Sequence, residues 1–304
     1  MKGQWRVIAA LGLASLLAAA GSPAEAQIED QLSAYTGVNA EGYLQPLVDA
    51  IGTDLNGGLF HSARVPVDGF HLSLEIPVVA VLFADDDAFF EAQTEDGFSP
   101  ETAADAPTIV GPGEAVVVTG DHGTSFAFPG GFDLNSFALA VPQLRIGSIR
   151  GTEALVRYIA INTGDVEIGN VSLIGFGLRH NINQYFGPEF PVDVAGGFFW
   201  QSFTIGEDLL KSKATSFGVQ ASRRFGTVAA VEPYMGLSLD TFGMDVAYES
   251  EASGELEDIS FSFDTKASAR LTLGVSLSLS ILNANAEYTI AGQNGFAFGV
   301  SFGM

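Results

Sequence analysis

Seven charged residues lie in segments where polar and apolar residues alternate, and they are the first candidates for chemistry. They are Arg157, Arg179, Arg224, Glu232, Asp240, Arg270 and Glu287. Several occupy the polar positions of their segments, so a β-strand would carry them on one face. A charge enclosed by protein needs a partner. If these strands form a barrel, the set predicts one of two interiors. One is a network of ion pairs that fills the lumen of the barrel, and the other is a polar pathway for solutes whose selectivity these side chains determine.

The histidines offer a weaker signal. His61, His71, His122 and His180 are far apart and lack the paired spacing of zinc ligands. Asp121 and His122 could form an acid–base pair, but this chemistry also needs a nucleophile within hydrogen-bond reach, and many serines could qualify. His180 follows Arg179 and is interpreted as a strand-end residue. The sequence therefore predicts no catalytic, cofactor-binding or metal-binding residue, with a hydrolase as an alternative.

Two acidic stretches could bind cations. Residues 84–133 include Asp85, Asp86 and Asp87, and residues 245–258 hold six acidic side chains. Ca²⁺ prefers such oxygen ligands, but the alternating D-x-D-x-D-G spacing of a defined calcium loop is missing. We interpret both stretches as solvated outer loops. The alternative is a loose divalent-cation bridge to lipopolysaccharide phosphates.

Composition excludes several classes of protein. The chain has 304 residues, 13 basic and 36 acidic, with a net charge of −23, no cysteine and 36 glycines. A hydrophobic content of 47% argues against disorder, and the missing cysteines exclude a disulfide scaffold. The negative charge would repel nucleic acid.

The N-terminal region predicts export followed by a helix. Lys2 and Arg6 precede the apolar run 7–20, and a small-x-small cleavage signal ends at Ala26, so residues 1–26 are predicted to be a signal peptide. Residues 27–56 form an N-terminal helical segment, periplasmic or plugging, with the helix itself expected over 28–53. No later stretch reaches 18 consecutive apolar residues.

Beyond residue 56 the period changes to two. Over residues 268–281 alanine, leucine, valine and isoleucine alternate without a fault with serine, threonine, glycine and Arg270. Apolar-out, polar-in strands are typical of a transmembrane β-barrel. Residues 57–304 therefore predict an all-β antiparallel transmembrane barrel of about 12 strands, within a range of 10–14. Residues 57–66 and 68–83 are expected to supply two of these strands, and Asn294-Gly295 predicts a tight hairpin. A soluble β-sandwich is the alternative.

An aromatic cluster fits the same interpretation. It comprises Tyr185, Phe186, Phe190, Phe198, Phe199 and Trp200. Aromatic girdles lie at both interfaces of membrane barrels, and we favour a girdle over a hydrophobic ligand site.

Several segments resemble a family of uncharacterised bacterial outer-membrane β-barrel proteins, a domain of unknown function. The matching pieces are 42–47, 54–60, 142–144, 151–153, 156–158 and 175–180, continuing to 184–186. The resemblance covers residues 41–304 apart from the acidic stretches. The layout, a short helix ahead of a barrel, is similar to that of long-chain fatty-acid transporter barrels. The resemblance implies no site residues that could be carried over.

We expect a non-enzymatic barrel in the outer membrane of a Gram-negative cell. Its favoured role is a channel or transporter for small or hydrophobic compounds. A closed structural barrel that anchors an acidic surface and a rim-located hydrolase are the alternatives. Expected partners are outer-membrane lipid, lipopolysaccharide and the barrel-insertion machinery, with no cofactor and no nucleic acid. The oligomeric state stays open.

Overall fold

The computed structural model describes residue 35 and residues 37–95, 97–162, 170–186, 190–206, 210–227, 229–250 and 257–303. The predicted signal peptide lies outside these residues. The chain divides into two compact units. The first comprises Met1–Ile51, Leu82–Phe137 and Asp245–Phe263, and the second comprises Gly52–Val81, Ala138–Met244 and Asp264–Met304.

Within the described residues, one helix precedes the strands. The elements in chain order are α1 Gly37–Asn56, β1 His71–Leu82, β2 Phe89–Gln93, β3 Ala103–Pro107, β4 Val116–Thr119, β5 Ser125–Phe128, β6 Ser136–Ala140, β7 Gln143–Ile149, β8 Thr152–Asn162, β9 Asn170–Asn181, β10 Asp193–Ile205, β11 Leu210–Ser222, β12 Ala229–Ser250, β13 Glu257–Leu279, β14 Leu282–Ile290 and β15 Gly295–Gly303. Among the described residues, no helix combines the length and apolar character that crossing a bilayer requires.

The second unit contains a closed barrel. Strands β7 to β15 follow one another in the sheet, β7 pairs with β1, and β15 returns to pair with β1 from Ser73 opposite Gly303 to Val81 opposite Gly295. Within the described residues the ring has ten strands, at the lower end of the predicted range. Strand β6 also lies beside β1, separated from β7 by Val141 and Pro142. Proline lacks the N–H that a continuous ladder needs. The prediction of an antiparallel barrel is confirmed.

The two faces of the wall divide as the alternation predicts. On β13, Leu273, Val275, Leu277 and Leu279 are exposed, whereas Ser276 and Ser278 are buried. On β15, Phe298 and Phe302 are 60% and 57% exposed. A soluble sandwich would bury these side chains between its sheets, whereas a barrel in lipid presents them to acyl chains. The fold is therefore a transmembrane β-barrel.

The helix ends later than the sequence predicts. Glycine at position 52 does not interrupt it; a Cβ there would lie 2.9 Å from the Phe242 ring, so glycine permits this close approach. The helix stops at Asn56, two residues before Gly58, whose φ is +61°. A left-handed glycine just past the last turn is a common helix terminator.

The first unit has an aromatic core of its own. Tyr35 and Tyr43 are fully buried, and Tyr35 contacts the rings of Phe90 and Phe128. The hydroxyl of Tyr43 donates a 3.1 Å hydrogen bond to the carbonyl of Gly130. Burial raises the pKa of both tyrosine hydroxyls, so they stay protonated at any physiological pH.

Both acidic stretches differ from the predicted loops. Residues 84–133 hold two hairpins, β2 with β3 and β4 with β5. Apolar side chains such as Ile109, Val110 and Phe128 are buried in this stretch, which gives it a core that solvated loops lack. Residues 245–250 and 257–258 extend β12 and β13, while 251–256 lie outside the described residues.

The predicted strand over residues 57–66 is wrong. Leu59, His61, Ala63 and Val65 are buried and alternate with more exposed residues, which explains the period-two pattern. However, the segment belongs to no sheet. Its backbone instead bonds to inward-facing side chains of the barrel wall, as described below.

Candidate functional site

The barrel interior holds residues 52–65, of which only Arg64 is exposed, and residues 66–70 continue from them as an exposed stretch; we call residues 52–70 the internal segment. Its residues contact inward-facing side chains from strands on every side of the ring, including β1, β8, β10, β12 and β14. The candidate site is the interior surface formed by this segment and the wall.

Arginines of the wall bind the end of the helix. Arg157 on β8 donates 2.8 Å hydrogen bonds to the carbonyls of Leu55 and Gly57. Arg270 on β13 donates to the carbonyl of Thr53 at 3.2 Å, and Gln201 also donates to Leu55. The last four carbonyls of a helix lack intrahelical partners, and this end of its dipole is negative. The two guanidinium groups therefore supply both hydrogen-bond donors for the unpaired carbonyls and positive charge at the negative end of the helix dipole.

Glu75 on β1 is the centre of a buried cluster. Its carboxylate accepts hydrogen bonds from Arg145 at 3.1 Å, Gln143 at 2.7 Å and Asn285 at 2.8 Å. The His61 Nδ1 lies 3.0 Å from the same carboxylate, and its Nε2 lies 2.8 Å from Arg145. Arginine can only donate, so this geometry fits a neutral imidazole that accepts at Nε2 and donates from Nδ1.

A second ion pair joins adjacent strands. Glu153 on β8 stands directly opposite Arg179 on β9, and the two form a 2.5 Å bond. The other oxygen of Glu153 lies 3.0 Å from the His71 ring. Arg179 also donates to the carbonyl of Ser62 and stacks 4.9 Å from the centre of the Phe60 ring. The pair thus links the wall to the internal segment.

The remaining predicted acids bind mostly neutral donors. Glu232 accepts hydrogen bonds from the hydroxyls of Ser62 and Ser222, and Glu287 accepts from the backbone N–H of Gly58 and the hydroxyl of Tyr234, both at 2.9 Å. Asp240 instead forms an ion pair with Arg270. All three acids are buried.

Glycines give these large inward side chains their room. A Cβ at Gly274 would lie 2.2 Å from the Tyr234 ring, and a Cβ at Gly177 would lie 2.4 Å from the Phe199 ring. Phe199 in turn packs with Leu59 and Leu155. The high glycine content therefore fits a narrow barrel whose interior is filled by its own side chains.

Six of the seven predicted lumen charges lie on strands of the wall, and Arg224 lies in the connection between β11 and β12 instead of in the predicted strand. Arg157, Arg179, Glu232, Asp240, Arg270 and Glu287 are buried, and Arg224 is half-buried at the wall of a cavity. Six of these seven contact the internal segment or pair with a residue that does.

Sequence reasoning missed several members of the network. Among them are His61, Glu75, Gln143, Arg145, Glu153, Gln201 and Asn285. The signal for Glu75 was present, because His71, Ser73 and Glu75 alternate with Leu72, Leu74 and Ile76. No comparable pattern indicates that His61 meets this strand.

The other sequence candidates lie apart from the network. His180 bonds to Thr152 at 2.8 Å and Tyr185 at 2.9 Å, and His122 lies in an exposed 3-10 turn. In the described part of the chain, no group of three His, Asp or Glu side chains could hold a metal. Tyr185, Phe186, Phe190 and Phe198 are exposed as a girdle requires, whereas Phe199 faces inward and departs from that prediction.

The model of a family of unknown function (DUF6588) matches residues 1–304. The chain belongs to this family. The resemblance to an uncharacterised barrel family is thereby confirmed. No curated protein matches the chain.

Several solved structures resemble this family member. A loop-deletion mutant of OmpT, an outer membrane protein of Vibrio cholerae, is 11% identical and has a TM-score of 0.27; the match covers 78% of this chain and 98% of that one. The β domain of the Bordetella autotransporter BrkA is 11% identical, with a TM-score of 0.29 and coverages of 78% and 99%. A Pseudomonas aeruginosa FadL homologue is 8% identical, with a TM-score of 0.20 and coverages of 81% and 95%. Likenesses this low say nothing about function.

Proposed function

We propose that this protein is a non-enzymatic outer-membrane channel that its internal segment closes at rest. Small solutes pass when the segment moves. The observation that carries the proposal is the way the segment is held. Over residues 53–62 its backbone bonds to the side chains of Arg157, Arg179, Gln201, Arg270 and Glu287, and no strand pairs with this part of it.

Such bonds can be exchanged for water. A hydrogen bond contributes a net stabilisation of about 0.5–1.5 kcal/mol, and of about 1.5–3 kcal/mol when one partner is charged. The wall does not depend on the segment for closure, because its backbone pairs from strand to strand around the ring. Movement of the segment would therefore leave the ring of strands intact and its polar lumen open.

The outer face of the barrel supports a location in the outer membrane. Its apolar belt suits acyl chains, and lipopolysaccharide and the barrel-insertion machinery are the proposed partners. Export by residues 1–26 belongs to the same proposal. Recovery of the protein in the outer-membrane fraction, with heat-modifiable migration on gels, is the expected result; recovery as a dissolved periplasmic protein would contradict it.

A disulfide lock tests the channel. Ser62 on the segment and Ser222 on the wall both bond to the same Oε1 of Glu232, and the chain has no native cysteine. We expect the S62C/S222C variant to be silent in planar bilayers when oxidised and to open intermittently when reduced. Each single variant serves as a control, because neither can form the internal disulfide.

The second candidate function is a closed structural barrel. The ion pairs and apolar contacts that fill the lumen favour it. A wild-type protein that stays silent in bilayers, together with silence of the reduced S62C/S222C variant and of R157A, would select this candidate and exclude the channel.

A further inference from the structure

Basic side chains are concentrated around one cavity of the barrel interior. This cavity has a volume of about 220 Å³. Four of the 13 basic residues of this acidic chain line it: Arg64, Arg145, Arg179 and Arg224. The carboxylates among its lining residues are those of Glu153 and Glu232.

Two of the four arginines are already neutralised. Arg145 forms an ion pair with Glu75, and Arg179 forms one with Glu153. Glu232 accepts hydrogen bonds from Ser62 and Ser222. The network thus uses its carboxylates on partners other than Arg64 and Arg224.

Arg64 and Arg224 keep their charges available to the cavity. Neither forms an ion pair with a described carboxylate, although Asp193 lies close enough to Arg64 to interact with its charge. The side chain of Arg224 makes one long hydrogen bond, 3.4 Å to the hydroxyl of Ser278. Arg64 is exposed and Arg224 is half-buried, so a solute could reach both.

Further donors surround the same space. The Nε atoms of Arg145 and Arg179 and the Oγ of Ser276 are buried without a hydrogen-bond partner among the described residues. Ser73, Ser278 and Asn283 add neutral polar groups to the lining. A water molecule takes about 30 Å³ of liquid volume, so the cavity has room for an anion of several heavy atoms.

We propose that this cavity binds a small oxyanion, a solute carrying a carboxylate or phosphate group, with Arg224 and Arg64 as its charged contacts. Guanidinium groups match the planar and tetrahedral oxygen arrangements of such groups and form charge-assisted bonds with them. The proposal does not require the barrel to conduct, because a closed barrel could hold the same anion.

Direct binding measurements test this site on the full-length protein in detergent. The probes are succinate and inorganic phosphate, with the neutral succinamide as a control ligand, in titration calorimetry at constant ionic strength. We expect saturable binding of at least one anion and none of succinamide. A response to phosphate alone or to succinate alone identifies the class of anion that the cavity accepts.

Two neighbouring arginines provide a matched pair of variants. Arg224 lines the cavity, whereas Arg223 is exposed and stacks 5.3 Å from the Phe225 ring instead. We expect R224Q to weaken anion binding about tenfold or more, as the loss of a charged hydrogen bond implies, and R223Q to leave it unchanged. Because Arg64 is exposed on the internal segment, R64Q offers a second test that should not impair folding.

Three results would overturn the proposal. The first is no saturable binding of succinate or phosphate by the wild type. The second is equal affinity in the wild type, R224Q and R64Q. The third is equal loss in R223Q and R224Q, which would indicate a distorted turn rather than a lost contact.

Discussion

The Nη1 of Arg157 donates a 2.8 Å hydrogen bond to the carbonyl oxygen of Leu55, a residue 102 positions earlier in the chain. This bond joins the wall of the barrel to the end of the helix. Its donor is 1% exposed, so water does not compete with it.

Loss of this arginine should loosen the internal segment. R157A removes the side-chain donor of the Gly57 carbonyl and the partner of the Gln143 amide oxygen, whereas the Leu55 carbonyl keeps its bond from Gln201. Because each unsatisfied buried group costs about 1–3 kcal/mol, we expect the unfolding free energy in phospholipid vesicles to fall by roughly 3 kcal/mol. Urea titrations followed by tryptophan fluorescence provide the measurement. K213A, at an exposed position of β11, is the control and should match the wild type.

The buried carboxylate of Glu75 should matter through its charge and its hydrogen bonds. E75A leaves the Arg145 guanidinium in the interior without its ion-pair partner. We therefore expect the free energy of unfolding to fall by about 3–5 kcal/mol. E75Q keeps one acceptor oxygen and should lose less. The same urea titrations compare the two variants. Equal stability of E75A and wild type would show that Arg145 finds another partner.

The lipid-facing belt should respond to charge according to depth. Leu273 and Leu279 are both exposed on β13, but Leu279 is its last residue and Leu273 lies six positions further from that rim. An outward arginine costs about 2–4 kcal/mol at the bilayer midplane and about 0–1 kcal/mol near the interface. L273R should therefore be the more destabilised variant in vesicles. Equal effects at both positions would contradict a membrane-spanning wall.

The hydrolase alternative makes a separate prediction. We expect purified protein to show no esterase or protease activity above a blank, and H122A and H180A to behave in the same way. Chromogenic ester and casein assays provide the measurement. A turnover that H122A or H180A abolishes would establish the enzyme and refute our proposal.

The alternation of the last strands could be predicted from sequence because polar side chains face the lumen and apolar side chains face lipid. Ser276 faces in and Leu277 faces out, and a single residue of slip would exchange them. The same rule misassigned Leu59, Ala63 and Val65, because burial alternates along the internal segment although no neighbouring strand pairs with it.

The meeting of His61 with Glu75 and Arg145 could not be predicted. The three residues are brought together by the path of the internal segment through the lumen, and no short-range pattern encodes that path. Arg157 and Arg270 could be predicted as interior charges, but their partners at the helix end are backbone carbonyls, which carry no sequence signature.

The pairing of β1 with β15 also constrains how the molecule is assembled. The internal segment comes before β1 in the chain, and β15, which closes the ring by pairing with β1, is the last strand of the described residues. Residues 52–70 must therefore enter the barrel before β1 and β15 pair, or be threaded into the complete ring afterwards. If the ring closed first, the barrel would be hollow and its arginines would lack their backbone partners until the segment entered, so the order of these two events determines which intermediate forms.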